Sequence, residues 1–162
     1  LASEFIDVQG KVSWLHAVGF NRFDKWSVTL HPDTRSLEVI RDLQAQGIKN
    51  QMKKDDDGYY IQFSREPSKL MRGKVVAFAA PKVVDKDGVP IDGSRVGNGS
   101  DVTVRLEVYQ HGTPNGGKAK AARFDSIRID NLVPYQPDRD LGSQDEKDAV
   151  KSLTEAPEPL FN

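Results

Sequence analysis

Val96-Gly97-Asn98-Gly99-Ser100, followed by Asp101-Val102-Thr103-Val104-Arg105-Leu106-Glu107-Val108-Tyr109, is a glycine-rich turn that opens a strictly alternating strand. Period-2 alternation puts Val102, Val104, Leu106 and Val108 on one face, to be buried, and Thr103, Arg105, Glu107 and Tyr109 on the other. A sheet face that carries a cation and an aromatic ring suits a single nucleic-acid strand, the arginine meeting phosphate and the ring stacking on a base.

Outward from this strand, turn signals divide the chain into further short strands. Thr113-Pro114-Asn115-Gly116-Gly117 leads to a last strand over about 119–132. There Phe124 and the pair Ile127/Ile129 fall on opposite parities, which predicts a β-bulge near Asp125-Ser126. Upstream, 6–18 reads as a strand with a kink or bulge at Gly10. In 23–31, Trp26, Val28 and Leu30 alternate with Lys25, Ser27, Thr29 and His31. Pro32 closes that strand, and Asp33 or Ser36 caps a helix whose face holds Leu37, Ile40 and Leu43, ending at Gly47. Strands at 48–54 and 59–65 flank the turn Asp55-Asp56-Asp57-Gly58, and an apolar strand over 74–84 is broken at Pro81. Both tryptophans, Trp14 and Trp26, are expected in the core. Seven or so strands with one short helix predict an all-β fold, an OB-fold-like Greek-key barrel with extensions. A β-sandwich is the rival arrangement.

Composition bounds the function. The 162 residues contain no cysteine, which excludes disulfides, thiolate metal sites and cysteine nucleophiles, and fits a reducing, cytoplasmic setting. No apolar run approaches the roughly 18 residues of a membrane span, and no amino-terminal signal pattern precedes the first strand, although the chain opens at Leu1 rather than Met. The net charge of −1 hides a split: residues 138–162 carry −4 and the rest +3. This predicts a mildly basic domain over 1–135 and an acidic, flexible tail over 136–162.

Catalytic and metal-binding patterns are not found. His16, His31 and His111 lie in separate segments without metal-ligand spacing, and the aspartate run before Gly58 lacks the distal glutamate of an EF-hand, so a hairpin turn is expected there. The basic and aromatic residues form a better pattern. Between Lys49 and Lys82 lie eight cations and four acids, interleaved with Tyr59, Tyr60 and Phe63. Alternation turns Phe63 and Tyr59 inward with Ile61 and leaves Tyr60 on the polar face. The expected base-stacking rings are Tyr60, Tyr109 and, in a loop beside Arg22, Phe23. The expected phosphate contacts are Arg65, Arg72, Lys74, Arg105, Lys118, Lys120 and Arg123.

On Lys25-Trp26-Ser27-Val28-Thr29-Leu30 before the helix, Val96 to Val104, and Arg123-Phe124-Asp125-Ser126-Ile127-Arg128-Ile129, the chain resembles the single-stranded DNA-binding proteins of double-stranded DNA phages, of the podophage replication type. The resemblance spans about residues 6–135. It implies an OB-fold that coats single-stranded DNA in phage replication and recombination, helps strands anneal, and needs no cofactor or metal. It places the stacking tyrosine at Tyr109, with basic positions at Arg105 and along Lys118–Arg123. It also implies docking of polymerase and helicase-primase on an acidic tail that ends in an aromatic residue, here Asp145, Glu146, Asp148, Glu155, Glu158 and Phe161; Asn162 follows the phenylalanine, and the acids are sparser than the family pattern. A homodimer is a further expected partner. The alternatives are a non-enzymatic structural or protein-interaction module, such as a virion component, and an RNA-binding OB domain.

Overall fold

The computed structural model describes residues 3–136; the tail residues Asp145, Glu146, Asp148, Glu155, Glu158 and Phe161 lie outside them. Nine strands and one α-helix follow in the order β1 (Glu4–His16), β2 (Trp26–Pro32), α1 (Thr34–Ala45), β3 (Lys53–Asp55), β4 (Gly58–Arg65), β5 (Ser68–Met71), β6 (Lys74–Ala77), β7 (Lys82–Asp85), β8 (Asp101–Gly112) and β9 (Lys118–Asn131). Seven of them form one mixed sheet, ordered β3-β4-β2-β1-β8-β9-β7, with β7 parallel to β9 and the other pairs antiparallel. The sheet curls until β4 and β9 touch, which makes an OB-like barrel rather than two stacked sheets.

The long strand β1 makes the curl possible by pairing twice, with β8 over Glu4–Lys11 and with β2 over Gly10–His16. Gly10 stands at the handover. A Cβ there would lie 2.0 Å from the carbonyl oxygen of His31, so only glycine lets the two backbones approach this closely. The bulge expected at Gly10 falls instead between Ser13 and His16. Trp14 adopts φ of 49° there, which takes it out of the alternation. Trp14 is consequently half-buried and not in the core, whereas Trp26 is buried.

The core is a single cluster fed by every long strand. Val102, Val104, Leu106 and Val108 of β8 are all buried against it, as alternation requires. Phe124, Ile127 and Ile129 of β9 join them across a register shift in which Arg105 opposes Ser126 and Leu106 opposes Phe124. The extra residue, Asp125, is the bulge that brings both parities of β9 inward. Ser100, fully buried in the turn before β8, donates to the Gly97 carbonyl (2.9 Å) and accepts from the Val133 amide (2.8 Å). The Gly97–Ser100 turn is thereby tied to the chain leaving β9.

The Ser36 amide donates to Asp33 Oδ1 (2.8 Å), which caps α1. Its inward face holds Ile40, Leu43 and Ser36, with Leu37 only half-buried. Ser36 Oγ takes that inner position because it accepts the Gln9 amide of β1 (2.7 Å). The aspartate turn is a hairpin joining β3 to β4, its Asp55 Oδ1 accepting the Asp57 amide (2.9 Å). The segment read as one strand over 74–84 divides differently. Lys74–Ala77 pairs with Ser68–Met71 as a separate hairpin, and after Pro81 the chain joins the main sheet as β7.

Candidate nucleic-acid interface

Two hairpins meet at one edge of the barrel, and the residues with nucleic-acid chemistry gather between them. A cleft of about 220 Å³ is lined by Lys25, Ser64, Glu66, Lys69, Phe78, Tyr109, Ala122 and Arg123. Tyr109 is half-buried near the end of β8, where the strand runs past the core. The guanidinium carbon of Arg123 lies 4.6 Å from the centre of the Tyr109 ring and 5.3 Å from that of Phe78. Arg65 lies 5.6 Å from the same Phe78 ring, and its Nε donates to the Ala79 carbonyl (2.8 Å). Rings and guanidinium groups therefore alternate as Arg65, Phe78, Arg123, Tyr109. Such contacts favour an arginine over a ring by about 0.5–1 kcal/mol each at exposed sites. They hold flat, π-faced surfaces beside fixed positive charge, the two features a nucleotide presents in complementary form.

Carboxylates temper the cleft. Glu107 lies 3.6 Å from Arg123 Nε, and Glu66 lies 3.7 Å from Lys25 Nζ. Both pairs are partly exposed, where such contacts contribute little and exchange readily for a phosphate.

The other expected site residues are dispersed. Arg72 and Lys74 are exposed at the tip of the β5–β6 hairpin, next to the cleft wall supplied by Lys69. Lys118 is exposed at the start of β9, beside the Thr113–Gly117 turn. Lys120 Nζ lies 3.4 Å from Glu4 Oε1. Arg105 forms a forked pair with Asp7 of β1, at 3.0 and 3.4 Å. The hydrogen bond that Arg105 donates to Asp7, and then the Asp7 charge, hold the Arg105 guanidinium above its usual range. Phe23 is exposed in the β1–β2 loop under the Arg22 guanidinium, 5.0 Å from its ring centre, while the neighbouring Phe20 packs on Trp26 at 5.4 Å.

The outward face of β8 is not open along its length. Thr103 is buried because Arg128 and Gln9 donate to its Oγ1 (3.0 and 3.3 Å) and it donates to Asp130 (2.7 Å). Only the Tyr109 end of this face enters the cleft. The two β4 tyrosines also depart from expectation. Tyr60, assigned to the open face, is half-buried with its ring 5.6 Å from that of His31. Tyr59, assigned inward, is 40% exposed and lies beneath Arg41 (5.2 Å) and Lys54 (5.3 Å). Phe63 is fully buried, as expected. Alternation decides which side a ring leaves the strand, but at position 59 the inward side has already passed the end of the core. Folding also brings His31 within 3.3 Å of Asp55, a proximity that spacing along the chain does not reveal.

Sequence reasoning missed Phe78 and Lys25, and counted Lys69 among the cations between Lys49 and Lys82 without assigning it a contact. Phe78 lies inside the apolar run from Val75 to Ala80 and reads as strand interior; Pro81 is the local signal that the run is interrupted.

No protein-family model matches the chain, and no curated protein matches it. The architecture is similar to that of solved single-stranded DNA-binding proteins from two bacteriophages. The chain is similar to gp2.5, a single-stranded DNA binding protein encoded by bacteriophage T7, with a TM-score of 0.58 and 13% identity over 99% of each chain. It is also similar to the single-stranded DNA-binding protein of bacteriophage Enc34, with a TM-score of 0.56 and 14% identity over 90% of this chain and 89% of that one. At such identities the likeness is one of fold. Among the described residues no helix is long and apolar enough to cross a membrane.

Proposed function

We propose that this chain is a non-enzymatic protein that binds single-stranded DNA without sequence preference. The observation that carries the reading is the Arg65–Phe78–Arg123–Tyr109 row, set in a cleft at the edge of an OB-like barrel. Its fold neighbours from the phages T7 and Enc34 bind single-stranded DNA and support the same role. Bases stack on Tyr109 and Phe78 after Arg123 swings from between the rings to a phosphate. Arg65, Arg72, Lys74 and Lys118 supply further phosphate contacts. Lys120 and Arg105 contribute less, since each must first leave a carboxylate. Tyr60 and Phe23 lie outside this cleft's lining and serve a longer strand. In a phage-infected cell such a protein coats strands exposed during replication and recombination in the host cytoplasm and assists annealing.

The domain over 1–135 does the binding. The acidic tail over 136–162 competes weakly with DNA for the basic cleft, and when displaced is free for a polymerase or helicase-primase. Tethering gives the tail an effective concentration of about millimolar. Removing residues 138–162 should therefore tighten binding at low salt.

Titration of tyrosine and tryptophan fluorescence with oligo(dT), oligo(U) and duplex DNA at two salt concentrations tests the reading. Quenching by oligo(dT) that reverses with salt is expected. Tighter binding of oligo(U) would make the protein an RNA binder that uses the 2′-hydroxyl. No response to any single strand would leave a structural or protein-interaction module.

A further inference from the structure

The β5–β6 hairpin belongs to no sheet but its own, and all eight of its strand residues are exposed. It is nonetheless well formed. Arg72 and Gly73 both take positive φ (51° and 77°), which is the two-residue turn whose twist matches a hairpin. Holding a non-glycine residue such as Arg72 in that region is uncommon.

Cross-strand pairing sorts the side chains into two faces. Ser68, Leu70, Val75 and Ala77 share one, and Lys69, Met71, Lys74 and Val76 share the other. The two faces differ in charge and in position. The first has no ionisable group, and Leu70 and Val75 are 69% and 73% exposed. The second alternates cations with flexible or apolar side chains and carries Lys69, which lines the Tyr109 cleft. No carboxylate occurs from Pro67 to Val84, so nothing on the arm opposes a polyanion.

We propose that the Lys69–Lys74 face of this arm is a second wall of the DNA path, continuous with the cleft. A strand leaving the Tyr109–Phe78 rings runs along the hairpin, its phosphates meeting Lys69 and Lys74 and, at the tip, Arg72. Met71 and Val76 lie against its bases, the thioether being well suited to aromatic edges. The occupant is single-stranded DNA rather than a second copy of the chain, because the face that borders the cleft is the cationic one. This inference rests on the proposed DNA binding and extends it from one cleft to a longer footprint.

The test compares oligo(dT) of about four and about sixteen nucleotides, the span of sites found on OB folds. Three proteins are measured: the full chain, a Lys69→Gln/Lys74→Gln variant with Met71→Ser, and a Leu70→Ser/Val75→Ser variant of the opposite face. All five positions are exposed, so each variant should unfold at the same urea concentration as the parent. The first variant should bind the long strand about tenfold more weakly, the loss expected for roughly one base contact, and lose only a small part of that on the short strand, which meets Lys69 alone of the three in the cleft. Its salt slope on the long strand should fall by about 1.4, at about 0.7 per phosphate contact. The Leu70/Val75 variant should bind both lengths normally.

Unchanged long-strand binding by the first variant overturns the arm while leaving DNA binding by the cleft intact. Weaker long-strand binding confined to the Leu70/Val75 variant also overturns it, and a simultaneous fall in molecular mass by light scattering would assign that face to a second copy. Failure of the full chain to bind either length removes the functional reading itself.

Discussion

Two antiparallel hairpins, β8–β9 and β5–β6, stand on either side of one cleft and use apolar residues in opposite ways. In β8–β9, Val102, Val104, Leu106, Val108, Phe124, Ile127 and Ile129 are all buried. In β5–β6, Leu70, Met71, Val75 and Val76 are all exposed. Both have strand-forming residues and a well-formed turn, so local preference does not separate them. The difference is cover. The first pair lies in a curled sheet whose inner face meets β1, β2 and β4; the second pairs with no other strand, and the Phe78 that follows it lies against Arg65 and Arg123. An apolar hairpin without cover adds little to stability and leaves its surface available for binding.

The largest test of this contrast is stability. Phe124→Ala should cost about 3–5 kcal/mol in urea unfolding, the usual penalty for emptying a buried aromatic site. Leu70→Ala should stay within about 0.5 kcal/mol, as surface substitutions do; equal losses would mean that the arm is covered in solution. Binding should invert the ranking between core and cleft. Tyr109→Ala should weaken oligo(dT) binding by about 1–3 kcal/mol, the measured range for loss of one stacked base, and leave the unfolding midpoint nearly unchanged. Normal binding by that variant would remove Tyr109 from the site.

Charge gives a smaller effect. Arg123→Gln should lower the salt slope of single-strand binding by about 0.7, whereas Arg105→Gln, whose guanidinium is held by Asp7, should lower it by much less. A slope that falls equally in both variants would show that the Asp7 pair opens on binding.

The smallest effect separates the hairpins by pH. The Lys11 ammonium hydrogen-bonds Asp101 at the start of β8 (2.9 Å) and, together with its charge and with Asn131, holds that carboxyl below its usual range against the opposing effect of burial. A depressed folded-state value means that ionisation favours the folded state. The contribution is full above the unfolded value of about 3.9 and is lost as pH falls through the lower folded value. The urea midpoint should therefore drop as the pH falls below about 4, and slightly less steeply in Lys11→Met. The β5–β6 strands contain no carboxylate to respond in this range.

Much of the barrel is legible along the chain because period-2 alternation and turn residues are local signals. The Val102–Val108 series and the Asp125 bulge follow from spacing and are present in the fold, and of the two caps that spacing allows, Asp33 and Ser36, the fold uses Asp33. Trp14 and the β4 tyrosines depart from expectation because a positive φ and the end of the core are features of the folded chain, not of the residues themselves. Among the expected site residues, Tyr109 and Arg123 could be read as a ring and a cation on neighbouring strands. Their meeting at Phe78 could not, since Phe78 comes from a segment that alternation assigns to a sheet interior.

Residue type and spacing settle which faces of the long strands turn inward, since burying a valine or leucine row outweighs any competing local preference. They also supply the basic and aromatic composition of the site. Folding settles which of those residues share a cleft and which are already occupied. Asp7 and Arg105 are 98 positions apart in the chain and yet form one ion pair. Long-range pairing of this kind depends on strand register and on the curl of the sheet, and both arise from the collective packing of a core to which every long strand contributes.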